Sequence, residues 1–207
     1  MREIEIVAVP AGRVRVLPDD ASPSPREQGG VGHLVLDVDR YDLPWEDHTG
    51  RLRQLCERGG WRLATRYLTV FCDAVVLPVW GYTYGELALR AGTRSGCFAD
   101  PWDSEQAGLA YLLRNELAAA CGGSYPGDDH AHARLRGEVE TYDLWSRGQV
   151  VGYIAERWEP CPTGTSCTHT RCSGGDWTEI KSCWGVYGIS EAITCGRTTL
   201  AEARAPR

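Results

Sequence analysis

Apolar and polar residues alternate with period two from Arg2 to Pro10 (REIEIVAVP), which predicts a strand. Val14 and Val16 carry the pattern on past an Ala11-Gly12 turn. Asp19–Gly32 is rich in Pro, Gly and Ser and reads as a loop, after which His33–Val38 (HLVLDV) reads as a second strand. Thr49 is placed to cap a short helix over Arg51–Arg58, which Gly59-Gly60 would stop. The apolar stretch Tyr67–Val79, broken by Asp73 and Pro78, suits helix or strand; within it Ala74–Trp80 reads as a strand, with Glu86–Arg90 as another. Leu109, Leu112, Leu113, Leu117 and Ala120 fall on one helical face behind Ser104, so the spacing predicts a long helix that ends at Gly122-Gly123. A further helix is predicted after Asp128-Asp129, with Leu135, Val139, Tyr142 and Trp145 on its apolar face and Gly148 as its stop. Gln149–Trp158 and Thr178–Tyr187 read as strands.

Strands before and after a central helical pair, without regular βαβ alternation, predict an α+β fold. The expected architecture is a mixed or antiparallel sheet with two main helices in a single compact domain over residues 1–196. Loops are expected at 19–32 and 159–176, and a weakly ordered tail at 197–207.

Composition adds eight Trp and nine Tyr against two Phe, so core and recognition surface would draw on the same amphipathic aromatics. The net charge of −6 argues against direct nucleic-acid binding. That charge is concentrated. Phe98–Trp145 holds nine carboxylates against three arginines, which reads as a solvated acidic face or as a surface for a basic partner. No apolar run approaches a membrane span and no leader is visible at the N-terminus, which predicts a cytoplasmic protein without a membrane partner. Nine cysteines, an odd number, then read as thiols or metal ligands.

Four groups come into question for chemistry. Cys161, Cys167, His169 and Cys172 supply the four soft or borderline ligands of a structural zinc site, although the spacing matches no standard finger and free thiols or a redox role stay open. Asp103 with Glu140 or Asp143 could pair carboxylates for a divalent cation or for acid/base work, Glu140 and Asp143 being three residues apart on one helix. The alternative for Asp103 is helix capping. Asp128-Asp129-His130-Ala131-His132 reads as a helix start with two exposed imidazoles, since His-x-His faces one way only in a strand. Cys183 could be a nucleophile only with a base such as His33 or His48 brought to it by the fold. Phosphate-loop, dinucleotide and zincin motifs are missing from the sequence.

Several cassettes follow in order: Ser22-Pro23-Ser24-Pro25-Arg26, Asp39-Arg40-Tyr41-Asp42-Leu43, Leu77-Pro78-Val79, Pro101-Trp102-Asp103-Ser104, Gly137-Glu138-Val139-Glu140-Thr141-Tyr142-Asp143, and Ser182-Cys183-Trp184-Gly185-Val186-Tyr187-Gly188. Over about residues 20 to 190 this order resembles a family of uncharacterised bacteriophage and mobile-element proteins. Members tend to have an aspartate–histidine–serine–glycine turn where this chain has Tyr82-Thr83-Tyr84-Gly85, so no chemistry of that histidine carries over. The resemblance implies a mobile-element setting and no established activity. The expected function is therefore a non-enzymatic protein that binds a host protein through an acidic face. Trp102, Asp103, Glu138, Tyr142, Trp184 and Tyr187 are its candidate binding residues. The alternative is a metal-dependent hydrolase or nuclease built on the carboxylates.

Overall fold

A computed structural model describes residues 3–10, 12–83, 86–93, 104–161 and 174–203. The described residues form an α+β fold with two four-stranded antiparallel sheets and four helices. The chain divides into two compact units, residues 1–22 with 148–207, and residues 23–147.

The first unit joins the two ends of the chain. Its sheet has the order β1-β2-β7-β8, from β1 (Glu5–Val9), β2 (Gly12–Pro18), β7 (Val150–Pro160) and β8 (Gly175–Tyr187). One face packs on a C-terminal helix, α4 (Ile189–Glu202), through Val14, Val16, Val151, Tyr153 and Ala155 against Ala192 and Leu200. Gly196 is forced there, because a Cβ would run into the Val14 methyls. The Tyr153 hydroxyl meets Thr199 Oγ1 at 3.1 Å. The expected tail from Arg197 is thus helical as far as Glu202, and the fully buried Leu200 anchors it.

The second unit is a sheet of order β3-β6-β4-β5 with a helix on each face. Its elements are β3 (His33–Leu36), α1 (Leu52–Phe71), β4 (Ala74–Tyr82), β5 (Ala88–Ala91), β6 (Ser104–Leu113), α2 (Arg114–Ala120) and α3 (Asp128–Ser146). The long helix predicted behind Ser104 is instead a strand followed by the short helix α2. β6 lies between β3 and β4, and from Ala107 on the helices on the two sides of the sheet cover both of its faces. Ala110 and Leu112 pack in the α3-side core, Leu109, Tyr111 and Leu113 in the α1-side core. A strand buried on both faces has no polar positions, and its continuous apolar run also satisfies a helical template. Ser104 is buried at the strand's start and caps nothing.

α1 also departs from expectation. Thr49 Oγ1 accepts the Arg51 amide at 3.2 Å as expected, but the Leu52 amide donates to the Asp47 carboxylate at 2.8 Å, and the Thr49 hydroxyl donates to that same carboxylate, so Asp47 and Thr49 share the capping. Gly59-Gly60 kinks the helix without ending it: Gly60 takes φ +62°, and helix resumes to Phe71. A glycine pair tolerates this break because neither residue has a Cβ to strain.

Candidate functional site

α3 organises the second unit's polar chemistry, because the Gly137–Asp143 cassette sits on it. Glu138 is largely buried and ties the cassette to Arg26. The Arg26 guanidinium donates to Glu138 Oε2 at 2.9 Å and to both Glu46 oxygens at 2.8 and 2.7 Å, and also to the Gly32 carbonyl. Glu138 accepts further bonds from the Val31 and Gly32 amides and from Arg134. Burial would raise the Glu138 carboxyl, but the bonds from Arg26, Arg134 and Gly32 outweigh it and hold it below the usual carboxylate range. Gly30 and Gly32 lie so close to Glu138 that a Cβ on either would press on its carboxylate. This buried ion network clamps residues 26–32 onto α3.

The two described carboxylates of the catalytic candidate set go different ways. Asp143 is 2% exposed, and its Oδ1 accepts the Leu89 amide of β5 at 2.7 Å. Its other oxygen lies 3.5 Å from the Arg147 guanidinium. Glu140 is exposed to solvent. Asp103 and Trp102 lie outside the described residues. The acidic window is partly consumed in the same way. Glu138 and Asp143 are buried in contacts, Glu116 pairs with His33 at 3.0 Å, and Asp128 pairs with Arg114 at 3.1 Å.

Beside the C-terminal half of α3 opens a cleft of about 570 Å³. Tyr41 and Asp42 line it from the 39–43 cassette, Glu86 from the turn before β5, and Tyr142, Trp145 and Arg147 from the end of α3. The Tyr142 and Trp145 rings are 5.7 Å apart and tilted by 38°. Burial, followed by the Asp42 and Glu46 charges, pushes the Tyr142 phenol up, so it stays protonated. Arg147 pairs with Asp143 and, at 3.9 Å, with Glu86. Its buried Nε–H finds no acceptor among the described residues. Two lining carboxylates, Asp42 and Glu86, against the one Arg147 guanidinium leave the cleft net negative, with aromatic walls. Such walls and charge suit a cation, which binds ring faces and carboxylates together.

The remaining candidates stand apart. Trp184 on β8 is 44% exposed and lies over Gly152, where a Cβ would collide with its indole; Tyr187 is half-buried on the same strand. Cys183 is exposed there, its thiol donating to the Trp184 carbonyl at 3.7 Å. In the other unit, His33 stacks on the buried Tyr111, and His48 stacks on His33. Of the zinc candidates, Cys161 is half-buried, and Cys167, His169 and Cys172 lie outside the described residues. Among the described residues no group of three or more His, Cys, Asp or Glu is placed to hold a metal. No described helix is long and apolar enough to cross a membrane.

Sequence reasoning named Tyr142 but missed Tyr41, Asp42, Glu86 and Arg147. The available signal was an aromatic-acid pair in the 39–43 cassette; only the fold brings it beside α3. No family model, curated protein or solved structure matches the chain.

Proposed function

We propose that this chain is a non-enzymatic binding protein whose α3 cleft receives a cationic group of a basic partner protein. The observation that carries the reading is the cleft itself: Tyr41, Tyr142 and Trp145 walls with Asp42 and Glu86 at hand. A phosphate backbone would meet those two carboxylates first, which argues against direct nucleic-acid contact. Under the mobile-element resemblance the partner is a host protein met in the cytoplasm of the host cell. The alternative, a metal-dependent hydrolase or nuclease using Asp103 with Glu140 or Asp143, would need Asp143 released from the Leu89 amide if it used that residue.

The test is a titration with short arginine- and lysine-containing peptides, followed by the Trp145 indole NMR signal. Saturable binding that weakens by about tenfold in Asp42→Asn/Glu86→Gln, and that a glutamate-containing control peptide lacks, is expected. Equal response to the acidic control, or no saturable response to either cationic peptide, overturns the reading.

A further inference from the structure

Along the second half of α1, Leu63, Val70 and Phe71 stay exposed among the described residues, beside Tyr67, which is half-buried against the α1-side core. Val70 is 64% exposed, Phe71 77% and Leu63 37%, and the Tyr67 and Phe71 rings stack at 5.8 Å. At helical spacing these four side chains fall within about 100° of arc and about 12 Å of axis, while Ala64 and Leu68 turn into the core. Arg62 and Arg66 are exposed along the flank of the stripe, with Arg53 and Arg58 further toward the helix start and only Glu57 opposing them. In a chain of net charge −6, α1 therefore carries +3, from four arginines and one glutamate.

From this juxtaposition we propose that the Leu63–Phe71 face of α1 docks an acidic amphipathic helix of a partner protein, its apolar side on the stripe and its carboxylates on Arg62 and Arg66. Spacing of i, i+4, i+7 and i+8 along the stripe is that of helix-to-helix anchoring. An antiparallel pairing with a second copy does not fit, because it would set Arg62 and Arg66 against their own images. An anionic bilayer fits less well: the arginines line only one flank, and an extended anionic plane would meet the whole acidic chain rather than this helix alone. The surface is independent of the α3 cleft, and either reading survives failure of the other.

The probe is a synthetic helix of about three heptads with leucine at a and d and glutamate at e and g; its counterpart with glutamine at e and g is the control. Binding is followed by backbone amide shifts in the full chain. The glutamate peptide is expected to saturate with shifts on α1 and at least about tenfold tighter than the glutamine peptide. Arg62→Glu/Arg66→Glu should abolish that preference, and Val70→Ser/Phe71→Ser should weaken both peptides by about tenfold or more. All four positions are exposed, and far-UV circular dichroism verifies that each variant is folded. Binding indifferent to the arginine reversal, shifts located away from α1, or no saturable binding overturns the proposal. So does co-sedimentation with phosphatidylserine vesicles, lost in Val70→Ser/Phe71→Ser, in a chain that ignores the peptides.

Discussion

Replacing Asp143 separates a structural carboxylate from a reactive one. Oδ1 accepts the Leu89 amide at 2.7 Å, with Asp143 2% exposed and Leu89 fully buried. A hydrogen bond to a charged acceptor contributes about 1.5–3 kcal/mol, and removing the acceptor leaves the amide buried and unpaired. The Arg147 contact at 3.5 Å is long and adds little. Asp143→Ala should therefore cost about 2–3 kcal/mol. Asp143→Asn keeps an oxygen at the same place and should cost about 0.5–1 kcal/mol, the difference between a charged and a neutral acceptor. With a urea slope of about 2 kcal/mol/M, the alanine variant's midpoint should fall by about 1–1.5 M and the asparagine variant's by under about 0.5 M. Amide exchange gives a local readout: Leu89 should lose protection in Asp143→Ala and keep most of it in Asp143→Asn. An alanine variant within about 0.5 kcal/mol of the parent, with Leu89 still protected, would refute the structural assignment and return this carboxylate to the pool available for chemistry.

Acid should act through Glu138, whose folded pKa lies below its ordinary value of 4.5. The stability it contributes is fully present above that ordinary value and lost as pH falls through the depressed folded one. The urea-midpoint advantage of the parent over Glu138→Gln should therefore be constant from pH 7 to about 5 and shrink below about 4. Gly137 sits mid-helix with open space where a Cβ would go, so Gly137→Ala should raise stability by about 0.5–1 kcal/mol, read as a rise in Tm. Burial, then the charges of Asp37 and Asp47, pushes the Cys56 thiol up to about 11, so iodoacetamide at pH 8 should label exposed Cys121 and Cys183 well before Cys56, as peptide mapping would show. Gly152→Val should displace the Trp184 indole and shift tryptophan emission to the red.

Where one side of an element faces solvent, its type was readable from the chain. β2 alternates because Val14 and Val16 face α4 while Arg13 and Arg15 face Glu156, and α3 shows its helical period because Leu135, Val139 and Tyr142 face the sheet while Arg136 and Glu140 do not. β6 was misread for the opposite reason. With both faces covered it has no polar register, and the choice between 3.6 and 2 then depends on neighbours far away in sequence. The C-terminal helix shows the same limit from another side. Thr199 and Leu200 look like an unremarkable tail until Tyr153 and the sheet are in place to bury them.

The cassettes were visible as units, but their roles depend on pairings that no local spacing encodes. Arg26 and Glu138 are 112 residues apart, and Asp143 and Leu89 are 54 apart. Such partners turn two carboxylates that look available for chemistry into fixed elements of structure, while Asp42 and Glu86, neither of them among the candidate site residues, come to line the cleft. Polar residues clustered in a cassette can therefore mark where a loop is fastened as readily as where a ligand binds. Burial separates the two cases: Glu138 and Asp143 are spent on backbone amides and arginines, whereas Asp42 and Glu86 remain exposed beside three aromatic rings. If the cleft binds a cation, the functional part of the Gly137–Asp143 cassette is Tyr142, together with Trp145 and Arg147 just beyond it, and the cassette's acids serve to hold that wall in position.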